Sequence, residues 1–424
     1  ILEPNLELLE LGYETIKEEF DLSAVEIGVP ESSHDEQQVL LSGSDAIAYG
    51  AIDEGCRFIA GYPMTPWTEV FTIMSQNLPQ LGGISEQVED EIAAASLALG
   101  ASHTGVKAMS GSSGGGFALM SEPLGLAEMS ETPVVLIEAM RAGPSTGMPT
   151  KPEQADLEHV LYTSQGDSHR VVLAPGTVQE AYDHARKAFQ LAYDYQIPSI
   201  VLYDQKIGGE STNVPASHFD REPNPSLGKT LTEAELEDEP HTPDGKFHRF
   251  QHDVDDGVSP RSIPGQKGGR FLVTGNEHTP AGHISEDPDN RVAQVNRRIE
   301  KEEAIRANLD EDSLLAPYGP DEAEYGILTF GSQQGTVEEA VDRLNDNGHS
   351  VKALAVNELA PYPVEQVSAF LESVEDTLVV EMNASAQFRG LTQKELGKYG
   401  EKLNSLLKYN GNPFEPAEIV DGFE

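Results

Sequence analysis

The chain has 424 residues and carries 28 Lys plus Arg against 72 Asp plus Glu, a formal net charge of −44. Acid excess of that size excludes nucleic-acid binding through the phosphate backbone, where basic residues supply the affinity. The single cysteine, Cys56, excludes an internal disulfide, a Cys-ligated iron–sulfur cluster and a Cys₄ zinc site on this chain.

Residues 1–20 place Leu6, Leu9, Tyr13, Ile16 and Phe20 at helical spacing. Because the chain opens at Ile1 rather than at a methionine, this helix is expected to close an upstream domain. A polar linker then follows from Pro30 to Gln38. From residue 39 to residue 211, short apolar runs alternate with helical patterns. Strands are predicted at Arg57–Ala60, Ile84–Gln87, Val106–Met109, Val134–Ala139, Arg170–Leu173 and Ser199–Tyr203. Helices are predicted at Ser44–Glu54, Glu69–Asn77, Asp90–Ala101, Phe117–Met129 and Val178–Tyr195. Such alternation specifies an α/β fold with a parallel sheet and right-handed crossovers. Cys56, beside Phe58, Ile59 and Ala60, reads as a small buried hydrophobe.

Residues 212–320 break the pattern. They form an acidic, irregular insert rich in Pro and Gly, with one helical stretch near Val292–Leu309. Alternation resumes over 321–424, with strands at Tyr325–Phe330, Ser350–Val356 and Thr377–Glu381 and helices at Thr336–Asn347 and Val364–Ser373. A second, smaller α/β domain is expected there. The chain thus divides into 1–38, 39–211, 212–320 and 321–424.

In parallel sheets, ligands sit beyond the carboxyl ends of the strands. Four segments fall there. The first is the stiff turn Gly61-Tyr62-Pro63-Met64-Thr65-Pro66, which presents Tyr62 and Thr65. The second is Glu89-Asp90-Glu91 at a helix start. The third is the glycine-rich Ser110–Gly116, and the fourth is Arg141-Ala142-Gly143-Pro144-Ser145-Thr146-Gly147. Arg141 is the sole cation among them, and a guanidinium beside the Thr65 and Thr150 hydroxyls suits capture of a carboxylate. A surface salt bridge is the bland alternative. Three acids in a row also favour a helix start on their own. Glu91, however, shares a face with Val88 and Ala95, at the margin of the buried stripe, where it needs a hydrogen bond. The glycine segment lacks a P-loop or dinucleotide fingerprint and suits close approach to a bulky ligand or to another subunit. The twelve histidines form no metal-ligand spacing, so no metal site is assigned to this chain.

Together with Glu89-Asp90-Glu91-Ile92-Ala93-Ala94 and Arg141 through Lys151, the Gly61–Pro66 turn resembles the α subunit of 2-oxoacid:ferredoxin oxidoreductases. Phe330-Gly331-Ser332, Pro361-Tyr362-Pro363 and Val380-Glu381-Met382-Asn383 resemble that subunit's second domain. The resemblance implies a thiamine diphosphate (pyrimidine-binding) domain and a C-terminal domain of transketolase C-terminal type. It also implies a γ-like domain upstream.

The activity implied is coenzyme A-dependent oxidative decarboxylation of a 2-oxoacid with reduction of ferredoxin, 2-oxoglutarate being favoured over pyruvate. An indolepyruvate-type relative and a non-catalytic scaffold subunit are the alternatives. By the same resemblance Glu91 engages the cofactor's pyrimidine, joined in cofactor contact by Ser113 and Gly114. Thr65, Arg141, Thr150 and Tyr62 surround the substrate. The family commonly has Ile where this chain has Met64, a volume-conserving swap.

In the family it resembles, the diphosphate and magnesium site uses a Gly-Asp-Gly motif followed by an Asn, and no Gly-Asp-Gly occurs here. The diphosphate grip, Mg²⁺ and a [4Fe-4S] cluster are therefore expected on a β subunit, in an (αβ)₂ hetero-oligomer. The N-terminus is acidic and no run of eighteen apolar residues exists, so a cytoplasmic protein without membrane contact is expected. The acid excess fits a halophile, where salt screens self-repulsion, and a haloarchaeal source.

Overall fold

Alternation of apolar residues within the strands decides which side chains face which layer. In a computed structural model, which describes residues 2–20, 36–311 and 313–423, fourteen strands are formed among those residues. They are β1 (Gln38–Ser42), β2 (Phe58–Gly61), β3 (Ile84–Gln87), β4 (Ala108–Ser112), β5 (Val134–Met140), β6 (Val171–Leu173), β7 (Pro198–Asp204), β8 (Ser211–Pro215), β9 (Ala316–Tyr318), β10 (Tyr325–Thr329), β11 (Val351–Ala355), β12 (Glu358–Ala360), β13 (Asp376–Glu381) and β14 (Leu403–Leu407).

Seven strands make the main sheet in the order β12-β6-β7-β5-β4-β2-β3, all parallel except β12, which runs antiparallel to β6. Within β5, Val135 and Ile137 join the core beneath the helices Gly43–Asp53, Thr68–Asn77 and Val178–Tyr195, while Val134 and Leu136 join the opposite core. That period of two, with both faces apolar, is what a parallel strand covered by helices requires. Cys56 lies in the first core, and burial pushes its thiol up to about 12.

The second sheet, in the order β14-β13-β10-β11-β9, is parallel apart from β9. Its Leu328, with Phe330 just after β10 and Phe388 on the helix Gln387–Leu396, packs into the same core as Leu136 and Leu202 of the main sheet. The two sheets therefore meet through one hydrophobic layer. β12 goes further. It crosses from the second unit and pairs with β6, where Glu358 stands opposite Leu173. Three residues are too few for a period to show in the sequence, which predicts no strand there.

Two expected elements differ. The strand predicted at Val106–Met109 runs instead over Ala108–Ser112, so half of the glycine-rich segment is strand and not loop. The helix predicted at Phe117–Met129 forms as Gly115–Ala118 and Ser121–Met129. Pro123 has no amide hydrogen to donate and is tolerated in a helix's first turn, so a new helix begins just before it.

The helix Leu2–Glu19 forms as expected, and its Leu6, Leu9, Tyr13 and Ile16 are all exposed. Residues 30–35 of the expected linker lie outside the described residues. No described helix is long and apolar enough to cross a membrane.

The insert is mostly irregular but is anchored by buried charge. From its long helix Pro288–Glu311, Arg297 and Lys301 both pair with Glu131, Lys301 at 2.9 Å. Arg249 donates to Glu131 O at 2.9 Å and to Gln196 Oε1 at 2.6 Å, and Arg261 to Ser102 O at 2.9 Å.

Candidate active site

The three successive acids at 89–91 have three different fates. Glu89 is exposed. Asp90 is the N-cap of the helix Glu91–His103 and accepts from Ala93 N at 2.7 Å. Glu91, the first helical residue, is only 3% exposed, and its Oε1 accepts from Ser112 Oγ at 3.0 Å. Among the described residues its second oxygen has no hydrogen-bond partner. Capping alone would leave an acid in solvent, so the burial of Glu91 separates it from a helix-start residue.

Ser112 reaches Glu91 because β4 ends beside the helix start, and Gly116 makes room. A Cβ on Gly116 would lie 2.2 Å from Glu91 Oε1 and 2.1 Å from Ser112 Oγ. No side chain fits there. The glycine-rich segment thus brings backbone against a carboxylate, and also leaves the Ser113 hydroxyl buried without a hydrogen-bond partner. Gly114, at φ 47°, donates its N–H to Glu138 Oε1 at 2.7 Å.

The turn after β2 is held by Trp67, fully buried, whose Nε1 donates to Tyr62 O at 3.1 Å. Its ring fills the space beside Gly111, where a Cβ would come within 2.6 Å of it. Tyr62 and Thr65 are exposed at the rim. Arg141, 7% exposed, leaves β5 and donates from Nη1 to the Thr65 carbonyl at 2.7 Å. Its Nη2 donates to Met64 Sδ at 3.6 Å, and Ser112 Oγ, whose one proton goes to Glu91, lies 3.8 Å from the same sulfur. Nε is buried without a partner.

Arg141 and Glu91 are consequently joined through Met64 and Ser112. Arg141 meets Thr65 through the backbone carbonyl, which leaves the Thr65 hydroxyl free of that contact. The Met64 sulfur accepts from Arg141, a contact that an isoleucine has no atom to make. Thr150 is exposed at the end of a hairpin-like loop, closed by Ala142 N to Lys151 O at 3.0 Å and Met148 N to Ala142 O at 2.7 Å. No hydrogen bond links it to Arg141.

Sequence reasoning missed Glu138 and Asp156. Glu138 interrupts the apolar run of β5 and is fully buried. Its signal was an acid inside an otherwise apolar strand. Both side chains lie near Arg141. With Gly114, Gly115 and His159, Arg141 and Asp156 line a cavity of about 210 Å³. Gln154 was also missed. It is fully buried, accepts at Oε1 from Met382 N at 3.0 Å and donates from Nε2 to Phe330 O at 2.9 Å, tying the Arg141 loop to the second unit. Among the described residues no group of three or more His, Cys, Asp or Glu is placed to hold a metal ion.

The fold and this mouth define a parallel α/β binding domain with a second α/β domain packed against it. Residues 49–297 match the family described as pyruvate flavodoxin/ferredoxin oxidoreductase, thiamine diphosphate-binding, and residues 323–419 match pyruvate:ferredoxin oxidoreductase core domain II. The chain belongs to this family, and the expected fold class is the one found.

Among similar proteins is 2-oxoacid:ferredoxin oxidoreductase 1, subunit alpha, of Sulfurisphaera tokodaii, 33% identical over 96% of this chain. The chain spans 64% of that relative's length. The 2-oxoglutarate synthase subunit KorA of Methanothermobacter marburgensis is also 33% identical, over 91% of this chain and 98% of its own length.

Among solved structures, 2-oxoglutarate:ferredoxin oxidoreductase from Magnetococcus marinus, with 2-oxoglutarate, coenzyme A and succinyl-CoA bound, superposes with a TM-score of 0.86. It is 33% identical, and the match covers 99% of this chain and 70% of that one. A split-gene transketolase shares the fold at a TM-score of 0.50 and 10% identity.

Proposed function

We propose that this chain is the α subunit of a 2-oxoacid:ferredoxin oxidoreductase that converts a 2-oxoacid and coenzyme A to an acyl-CoA with reduction of ferredoxin. The observation that carries the reading is Glu91. It is a buried carboxylate at a helix start, held by one serine hydroxyl, cradled by a glycine that admits no side chain, and left with one oxygen unpartnered. Those features fit thiamine diphosphate, whose pyrimidine offers polar nitrogens to an acid and whose flat ring needs close backbone approach.

When bound, the cofactor supplies the stabilised carbanion chemistry that decarboxylation of a 2-oxoacid requires. Glu91 would hold its pyrimidine and share a proton at the carboxyl, with Ser112 fixing that carboxyl's orientation. Ser113 and Gly114, in the segment before the helix Gly115–Ala118, are assigned to cofactor contact. Arg141 would bind the substrate carboxylate from its inner position, with Thr65 and Tyr62 at the rim and Thr150 toward the substrate's far end.

The names of the Methanothermobacter and Magnetococcus proteins support 2-oxoglutarate over pyruvate as substrate. Mg²⁺, the diphosphate grip and a [4Fe-4S] cluster are assigned to a β subunit in an (αβ)₂ assembly. The division at residues 38, 211 and 320 belongs to the same reading. The net charge of −44 supports a cytoplasmic setting at high salt, as in a haloarchaeon.

The test is coenzyme A-dependent reduction of ferredoxin or a viologen dye by the purified complex, offered several 2-oxoacids. Glu91→Ala is expected to lower kcat by roughly 10²- to 10⁴-fold, the usual worth of a positioned acid–base group. Undiminished turnover by that variant would sink the assignment.

A further inference from the structure

Glu138 and Asp156 meet beneath the mouth. Glu138 is fully buried in β5, and its Oε1 is occupied by the Gly114 N–H. No donor reaches its Oε2, and the carboxyl in contact with it is that of Asp156, whose Oδ2 would lie only 3.7 Å from a Cβ on the same Gly114. Two carboxyls in contact can hydrogen-bond only if one of them carries a proton, and like charges so close cannot both ionise cheaply. From the geometry we infer that Glu138 and Asp156 share one proton at working pH, and that this acid pair is a positioning device that keeps Arg141 available to the substrate carboxylate. The second half of the inference rests on the function proposed above; the first does not.

The surrounding charges agree. Burial raises the Glu138 carboxyl well above its ordinary range. Asp156 pushes the same way, and the Gly114 N–H and Arg141 only partly oppose it. Asp156 is likewise raised, by burial first, against His159 and Arg141. The other groups facing the pair are Glu153 on the following loop and Tyr203 on β7, each electrostatically coupled to one member. Arg141 is thus the one guanidinium among several acids. With the pair singly protonated it faces one negative charge from below. With both carboxylates ionised it faces two, and the incoming carboxylate must compete with them.

Two measurements on the complex of this chain with its partner subunit test the inference. The infrared difference between wild type and Glu138→Gln at neutral pH is expected to contain one protonated-carboxyl band. The amide introduced by that substitution keeps an acceptor for the Gly114 N–H and frees Asp156 to ionise. Absence of that band overturns the shared proton, whether or not the complex turns over.

In kinetics, KM for the 2-oxoacid is expected to climb by roughly fivefold or more as pH passes the pair's titration, the lower end of ordinary coupling between two sites. In Glu138→Gln the climb should vanish. Asp156→Asn, with Glu138 left as a lone buried acid, should also flatten it. A climb of wild-type size in both variants overturns the link to Arg141. Failure of the wild-type complex to use any 2-oxoacid would instead refute the proposed function, leaving the infrared result to decide the proton.

Discussion

Arg141 is held by weak hands. Its guanidinium has five N–H donors, and the described residues engage it only through one backbone carbonyl and one thioether sulfur. A buried cation so lightly satisfied is suited to an anion that arrives later. Arg141→Ala is expected to raise KM for the 2-oxoacid by roughly 10- to 100-fold, the worth of a charge-assisted hydrogen bond. Arg141→Lys should recover only part of that, because an ammonium cannot reproduce a planar fork. Steady-state kinetics at several substrate concentrations decide it, and an unchanged KM would place the carboxylate elsewhere.

Met64 offers a finer test. Its sulfur lies between Arg141 and Ser112. Met64→Ile keeps the volume but loses the acceptor, so KM should rise about two- to threefold with kcat nearly unchanged. If both constants stay at the wild-type value, the sulfur is only filling space.

At the scale of elements, the mouth is built by backbone approach. The end of β4, the start of the helix Glu91–His103 and the glycine segment converge so closely that Gly116 cannot carry a Cβ. Gly116→Ala should destabilise the fold by about 1–3 kcal/mol, the usual cost of overpacking, and should weaken cofactor binding by displacing Glu91. Thermal melts and cofactor titration measure the two effects, and a variant that binds cofactor normally would refute the cradle.

The insert's anchor is a second element-scale device. Glu131 and Gln196 adopt φ of 48° and 52° at the ends of their helices, where a glycine would be at ease. Their side chains explain the choice, since each engages cations or backbone of the insert. Burial alone would raise the Glu131 carboxyl, but Arg297 and Lys301 more than offset it and hold it well below the usual range. Glu131→Gln, which leaves both cations short of a partner, should cost about 3–5 kcal/mol. The sign with pH follows. A depressed folded-state pKa contributes stability that is full above the ordinary carboxylate range and is lost as pH falls through the depressed value. Chemical denaturation of the variant should show a shallower loss of stability on acidification, and an identical slope would exclude Glu131 as the acid-sensitive group.

Over the whole molecule the charge is lopsided, and several of the scarce cations are inside. Arg249, Arg261, Arg297 and Lys301 are all at most 4% exposed. Acids are left on the surface with few partners, and the self-repulsion this implies is weakened where salt screens it. The Debye length falls from about 10 Å at 0.1 M to about 3 Å at 1 M, which removes most surface repulsion. The melting temperature is therefore expected to rise steeply between those concentrations of KCl. A melt indifferent to salt would contradict the halophilic reading.

The strand–helix alternation between Phe58 and Asp204 was legible because each strand is long enough to show its apolar run and each helix its period. So was the clustering of Thr65, Glu91 and Arg141 at one edge, because parallel strands put their carboxyl ends together by construction. Glu138 and Asp156 escaped notice because they are 18 residues apart in the chain, and only folding brings an acid in a buried strand against one at the start of a short helix. β12 escaped because a three-residue strand is chosen by its neighbour, not by its own pattern. Local composition therefore determined the fold class, the family motifs and the mouth. Tertiary packing alone decided that Glu91 is buried while Glu89 is not, that Arg141 meets a carbonyl and a sulfur, and that two acids lie beneath it. Burial and contact distance are properties of residues remote in sequence, and no local pattern encodes them.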